Sequence, residues 1–124
     1  MFAPRQTDVE RDPYVKANLR LFDRLPRYPG AKLDRKASTA YRSEPGGAIA
    51  GYVTRFRLVL PGSATRVAVR RFFRRQLAAR WRLLEPPSAS MLSFRRGARL
   101  VRVNLGGVRA QRLTIAVDHA RFDT

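Results

Sequence analysis

Arginine is the residue type in this chain with the clearest potential chemistry, because its side chain binds phosphate groups. The chain has 26 basic and nine acidic residues, a net charge of +17, and only three of the basic residues are lysines. The planar guanidinium group can donate two parallel hydrogen bonds to phosphate oxygens, which a lysine ammonium group cannot do. Between Glu44 and Asp118 there are 15 arginines and a single acid, Glu85. A surface with this charge attracts polyanions.

The arginines are most concentrated in a segment with helical periodicity, residues 65–81. At 100° per residue, one side of this helix is apolar and the opposite side is basic. The segment contains no acid, so its arginines have no partner of opposite charge at helical spacing. We therefore predict a polyanion-binding site formed by Arg70, Arg71, Arg74, Arg75 and Arg82. Two other interpretations stay open: a solvated face that reflects a GC-rich genome, and a contact with a protein or a membrane.

Residues that could support catalysis or bind a metal are few. The one histidine, His119, lies next to Asp118 and near Asp123, but one imidazole and two carboxylates make a poor metal site. Asp118 could orient His119 as a general base, yet no serine occurs in a nucleophile-elbow context. The chain has no cysteine, which excludes thiol catalysis and thiolate metal sites. We expect a protein that is not an enzyme and that has no metal or cofactor.

The first 27 residues predict a helix that precedes the main domain. Asp12 and Pro13 form a good helix start, because Asp accepts hydrogen bonds from free amides and Pro suits the first turn. Tyr14, Leu21, Phe22 and Leu25 then recur at helical spacing, and Pro26 ends the helix. We predict an N-terminal arm and helix at residues 1–27 and a single α+β domain at residues 28–124. The helix could dock on its own domain or on another chain.

The rest of the chain predicts a sheet covered by the helix at residues 65–81. Residues 31–42 read weakly as a strand, and residues 48–60 alternate as a clear one, with Arg55 and Arg57 on the polar side. Three more strands follow Pro86-Pro87. Gly46-Gly47 and Gly106-Gly107 are not followed by helices, so they predict hairpin turns and not phosphate-binding loops. The order favours a two-layer α+β sandwich, with a mainly antiparallel sheet, one long helix on one face and, in addition, the N-terminal helix.

Three sequence features occur together between residues 28 and 118. They are Tyr28-Pro29-Gly30-Ala31, Leu60-Pro61, and the helix residues Val69, Phe72, Phe73, Leu77 and Trp81. In these structural positions the chain resembles a group of uncharacterised small bacterial domains and lipoproteins from GC-rich genomes. The resemblance implies the fold and carries no catalytic residue or ligand. This chain lacks the lipid-attachment cysteine of the secreted members, and the arginine excess is not part of the pattern.

Taken together, these features favour a non-catalytic domain that binds nucleic acid or another polyanion through arginine–phosphate contacts. The alternative is an interaction or structural module whose basic surface meets an acidic protein partner. A third possibility is a small-molecule-binding domain with an anion pocket. We expect a cytoplasmic protein without a membrane span, because the first residues include no apolar signal region and no apolar run is long enough.

Overall fold

Alternating apolar and polar residues give most strands of the chain one buried and one exposed face. A computed structural model describes residues 6–84 and 88–120. The helices are α1 (Gln6–Arg11), α2 (Pro13–Arg24) and α3 (Arg66–Leu77), with a 3-10 helix at Val108–Ala110. The strands are β1 (Lys32–Arg42), β2 (Ile49–Val59), β3 (Arg82–Leu83), β4 (Met91–Arg96), β5 (Arg99–Asn104) and β6 (Arg112–Ala120).

The six strands form one antiparallel sheet in the order β1-β2-β6-β5-β4-β3. This confirms the predicted α+β class and the mainly antiparallel sheet. The central strands β2, β6 and β5 place Phe56, Ile115 and Val103 side by side on one face, and all three are almost fully buried. Burial of this apolar row is the main driving force for covering that face with helices.

Helices α2 and α3 cover the apolar face together. Asp12 caps α2 by accepting a hydrogen bond of 2.8 Å from the Tyr14 amide, as predicted, and Thr65 caps α3 through the Ala68 amide. One long helix on the sheet and an additional N-terminal helix were predicted. The two helices have 12 residues each, and both cover the sheet, so α3 is not the single long helix of the prediction. The helix predicted over residues 65–81 ends at Leu77, and Trp81 follows it, still buried.

Helix α2 docks on the sheet of its own chain. The Phe22 ring stacks on Phe56 of β2 with ring centres 3.8 Å apart. Leu21, Phe22 and Leu25 belong to the same buried cluster as Val69 and Phe73 of α3. The N-terminal helix therefore contributes to one shared core.

A buried polar network fixes the position of α2 along the sheet. The Asn18 side-chain amide donates to the Tyr52 carbonyl at 3.3 Å and to the Thr54 hydroxyl at 3.2 Å. Thr54 in turn shares a hydrogen bond of 2.8 Å with Ser38 of β1. Directional bonds of this kind select one register where apolar contacts alone would tolerate sliding.

Two local predictions were incomplete. The connection at Gly106-Gly107 is longer than a hairpin turn, because the 3-10 helix follows it and buries Val108. The two-residue strand β3 has no sequence signal of its own and extends the sheet beyond β4. The Pro86-Pro87 break lies outside the described residues. In the part of the chain that the structure describes, no helix is long and apolar enough to cross a membrane.

Candidate nucleic-acid interface

The face of the sheet opposite α2 and α3 carries a dense array of basic side chains. Successive residues of a strand point to opposite faces, so each buried apolar residue places its neighbours on this outer face. Eight exposed basic residues lie on it, and we call this surface the basic sheet face. They are Lys32, Arg35, Arg55, Arg57, Arg82, Arg95, Arg102 and Arg112.

The strand register arranges these side chains in rows. Arg35 of β1 lies directly opposite Arg57 of β2. In the next row, Ala116 of β6 lies between Arg55 on β2 and Arg102 on β5. Neighbouring strands are about 4.8 Å apart, so the two flanking arginines originate about 10 Å from each other. The small side chain between them leaves both guanidinium groups open to a ligand.

The same register brings like charges together. Arg35 faces Arg57, and Arg82 of β3 faces Arg95 of β4. Like charges in directly opposite positions of an antiparallel pair destabilise the sheet. The free sheet thus carries a repulsion that a bound polyanion would relieve.

Among the described residues, two acids lie on this face, and both have a partner. Arg112 Nη1 donates to Asp34 Oδ2 at 3.4 Å, and the Tyr41 hydroxyl donates to Asp118 Oδ1 at 2.6 Å. Neither carboxylate pairs with Arg35, Arg55, Arg57 or Arg102 within the described residues. The centre of the basic sheet face therefore carries positive charge that no acid of the described residues compensates.

Tyr41 lies over Gly51 of the neighbouring strand, and its hydroxyl reaches Asp118 from there. A Cβ atom at Gly51 would overlap the Tyr41 ring and hydroxyl, so glycine is required at that position. Burial, then the hydrogen bond to Asp118 and the charge of that carboxylate, raise the pKa of Tyr41 to about 12. The Arg102 charge acts in the opposite direction and lowers the pKa. The tyrosine hydroxyl thus stays a donor to Asp118.

The arginines predicted as the binding site are divided between two surfaces. Arg71, Arg74 and Arg75 are exposed on α3, as predicted, and we call them the helix arginines. Arg70 is half-buried, and its Nε atom is buried without a hydrogen-bond partner. The prediction that Arg82 shares their surface was wrong, because α3 ends at Leu77 and Arg82 lies in β3 on the basic sheet face.

His119 and Asp118 point to opposite faces of β6, so Asp118 does not orient the histidine. Asp118 binds Tyr41, whereas the His119 ring packs edge-on against Tyr14 with ring centres 4.7 Å apart. His119 Nδ1 lies 2.9 Å from the carbonyl oxygen of Ala120. The third residue of the considered metal site, Asp123, lies outside the described residues. Within residues 6–84 and 88–120, no group of three potential metal ligands occurs.

Comparison with known protein families, with curated proteins and with solved structures found no match. The resemblance to small bacterial domains stays a prediction. The proposed function rests on the side chains of the basic sheet face.

Sequence reasoning missed the basic sheet face as a unit. A signal was present, because Arg55 and Arg57 alternate with the buried residues Phe56 and Leu58. Arg102 alternates in the same way with Val101 and Val103 on another strand. Only the strand order, which places β6 between β2 and β5, shows that these arginines are neighbours.

Proposed function

We propose that this protein binds nucleic acid, without catalysis, through contacts between its basic sheet face and the phosphate backbone. The observation that carries the proposal is the array of eight exposed basic residues on the sheet face that none of the described helices covers. A charged face usually mixes both signs. The two acids that the described residues contribute to this face are bound to Arg112 and Tyr41.

The driving force would be the release of counterions from the nucleic acid. Each phosphate that an arginine neutralises frees condensed cations, and the gain in entropy favours binding at low salt. The repulsion within the Arg35–Arg57 and Arg82–Arg95 pairs adds to this, because a phosphate between two guanidinium groups converts repulsion into attraction.

The composition of the face argues against strong base recognition. The side chains between the arginines include Ala37, Ala116, Ser93 and Thr114. Within residues 6–84 and 88–120 the one aromatic residue on this face is Tyr41, whose hydroxyl is bound to Asp118. Sheets that read single-stranded RNA use exposed aromatic rings to stack bases. Phosphate contacts position a nucleic acid without reading its sequence. The expected binding is therefore nearly independent of sequence.

The test measures the salt dependence of binding to a random-sequence DNA duplex for two matched variants. The sheet variant replaces Arg55, Arg57 and Arg102 by Gln, and the helix variant replaces Arg71, Arg74 and Arg75 by Gln. Both lose three charges, so any difference reflects position and not net charge. Each phosphate contact contributes about −0.9 to the log–log salt slope, so the sheet variant should lose about 2.7 units of slope. The helix variant should lose less than about one unit by the same relation.

Three results would contradict the proposal. Equal losses in the two variants would indicate diffuse attraction by a protein of charge +17 and no defined interface. A larger loss in the helix variant would favour the site first predicted on α3. Binding that changes between duplexes of different sequence by more than about 2 kcal/mol would indicate that the arginines read base edges and do not contact phosphates alone.

A further inference from the structure

A cavity on the helix-covered side of the sheet is lined by four arginines and has no assigned role. It encloses about 480 Å³, within the range of small-molecule sites. It opens where α2 and α3 end, beside the turn that connects β4 and β5. Arg24 comes from α2, Arg80 from the segment after α3, and Arg96 and Arg99 from the two strands. Four separate segments thus bring guanidinium groups to one place.

The floor of the cavity is apolar and includes the buried residues Leu25, Leu77 and Trp81. The Arg96 guanidinium group lies over the Trp81 ring, 5.1 Å from its centre. A cation held on an aromatic face keeps a defined position while its N–H groups stay available at the edge. The cavity therefore has a fixed base and a charged rim.

The four guanidinium groups line one cavity without a compensating acid. No carboxylate of the described residues forms an ion pair with Arg24, Arg80, Arg96 or Arg99. Burial lowers the pKa of Arg99, and the positive charges of Arg96, Arg20 and Arg24 lower it further. Arg99 stays a cation, so the nearby arginines repel it in the free protein.

Neutralisation of the helix ends explains only part of this charge. The C-terminal ends of two helices carry about half a negative charge each, so together they offset about one arginine. About three positive charges remain, and an anion of similar charge that is small enough for the cavity would balance them. Planar guanidinium groups favour phosphate oxygens, which they bind in pairs.

We propose that this cavity binds a diphosphate or triphosphate group, with Arg24, Arg80, Arg96 and Arg99 as its ligands. The group could be inorganic or belong to a nucleotide, and both sources present the same chain of phosphate oxygens. The site lies on the opposite side of the sheet from the basic sheet face, so it is independent of nucleic-acid binding. Its occupation would remove the repulsion among the four arginines.

The test titrates the full chain with sodium tripolyphosphate and with ATP by calorimetry, without divalent metal. Sodium sulfate at equal ionic strength is the control for general screening. The fluorescence of Trp81, the only tryptophan, is a second readout, because the ligand would move Arg96 relative to the ring. We expect one tight site with a change in fluorescence. Equal affinity for the two probes means that the cavity binds the phosphate groups alone, and tighter binding of ATP identifies a nucleotide.

Two double variants of equal charge identify the site. The cavity variant, Arg96→Gln with Arg99→Gln, should bind tripolyphosphate at least about a hundredfold more weakly, since each charged contact is worth about tenfold or more. The control, Arg55→Gln with Arg102→Gln on the basic sheet face, should stay within about threefold by the same arithmetic.

The outcomes separate this proposal from the proposed function. Loss of tripolyphosphate binding in the control and not in the cavity variant would overturn the cavity site and leave the sheet interface standing. Loss in the cavity variant alone supports the site, even if the sheet face fails to bind DNA. If the cavity variant does not fold, Arg24→Gln with Arg80→Gln takes its place, since both residues are exposed. Binding of tripolyphosphate no tighter than sulfate would also overturn the proposal.

Discussion

The two faces of the sheet come from the same strands and show opposite chemistry. On one face, Phe56, Leu58 and Ile115 are buried beneath α2 and α3. On the other face, the alternating neighbours Arg55, Arg57 and Arg102 are exposed. The apolar face must be covered for the chain to fold, whereas the basic face destabilises the free sheet and needs another explanation. The comparison indicates that the apolar face stabilises the fold, whereas the proposed nucleic-acid interface lies on the opposite face.

The largest loss of stability is expected when α2 no longer covers its part of the apolar face. A chain that starts at residue 28 would expose Phe56 and Leu58, and we predict that it does not fold cooperatively. In the full chain, Phe22→Ala should lower the free energy of unfolding by about 3–5 kcal/mol, as for other buried aromatic residues. Asp23→Ala, on the exposed side of the same helix, should change it by less than about 0.5 kcal/mol.

Chemical denaturation monitored by circular dichroism measures these changes. A truncated chain that unfolds at the same denaturant concentration as the full chain would contradict the assignment of α2 to the core. It would instead support residues 28–124 as a domain that folds by itself.

Phe73→Ala tests how much α3 stabilises the apolar face of the sheet. Phe73 is 1% exposed, and its removal should also cost about 3–5 kcal/mol. Phe72, its neighbour, is only half-buried and contacts Tyr28 at the edge of the core, so Phe72→Ala should cost clearly less. Thermal melts of the two variants provide the measurement. Equal shifts in melting temperature would show that the buried side of α3 is assigned wrongly.

On the basic sheet face, removal of a side chain is expected to raise the free energy of unfolding, not to lower it. Arg57→Gln removes the like-charge contact with Arg35 and should raise the free energy of unfolding by about 0.2–1 kcal/mol at low salt. The gain should shrink as salt is added, because ions screen exposed charges. Denaturant titration at two salt concentrations measures both effects. An Arg57→Gln variant that is less stable than the original protein at low salt would contradict the predicted repulsion between Arg57 and Arg35.

The smallest effect concerns Tyr41 and Asp118 on that same face. The pKa of Tyr41 is about 12 in the folded chain and 10.0 in the unfolded chain. Between these two pH values the hydroxyl is therefore protonated in the folded chain and ionised in the unfolded chain. The stabilisation of the fold by this difference is complete below about pH 10 and should disappear as the pH rises toward 12. Ultraviolet titration should show one late phenolate that Tyr41→Phe removes. Loss of an early phenolate in that variant would contradict the Asp118 hydrogen bond.

Much of the fold could be predicted from the sequence, because local patterns determine it. The cap at Asp12 and the alternation at residues 48–60 each predicted an element close to its observed bounds. The apolar side of α3 predicted the start of that helix, which ends earlier than predicted, at Leu77. The equal role of α2 could not be predicted, since the contact between Phe22 and Phe56 joins residues far apart in the sequence.

The candidate surfaces were harder to predict for the same reason. Helical spacing places Arg71, Arg74 and Arg75 together from sequence alone, so that group was found. The grouping of Arg55 with Arg102 depends on the order of strands, and the grouping of Arg24 with Arg99 depends on where two helices end. Neither arrangement leaves a local pattern. The error at Arg82 came from extending the helix by a few residues beyond Leu77.

The most direct test of the basic sheet face is an NMR titration of the arginine side chains with a short DNA duplex. Spectra of the Nε–Hε groups report each arginine separately, so they show which surface contacts the phosphates. Our account predicts large shifts for Arg55, Arg57 and Arg102 at substoichiometric DNA, with Arg71, Arg74 and Arg75 nearly unchanged. Shifts of equal size on both surfaces, or larger shifts on α3, would contradict it.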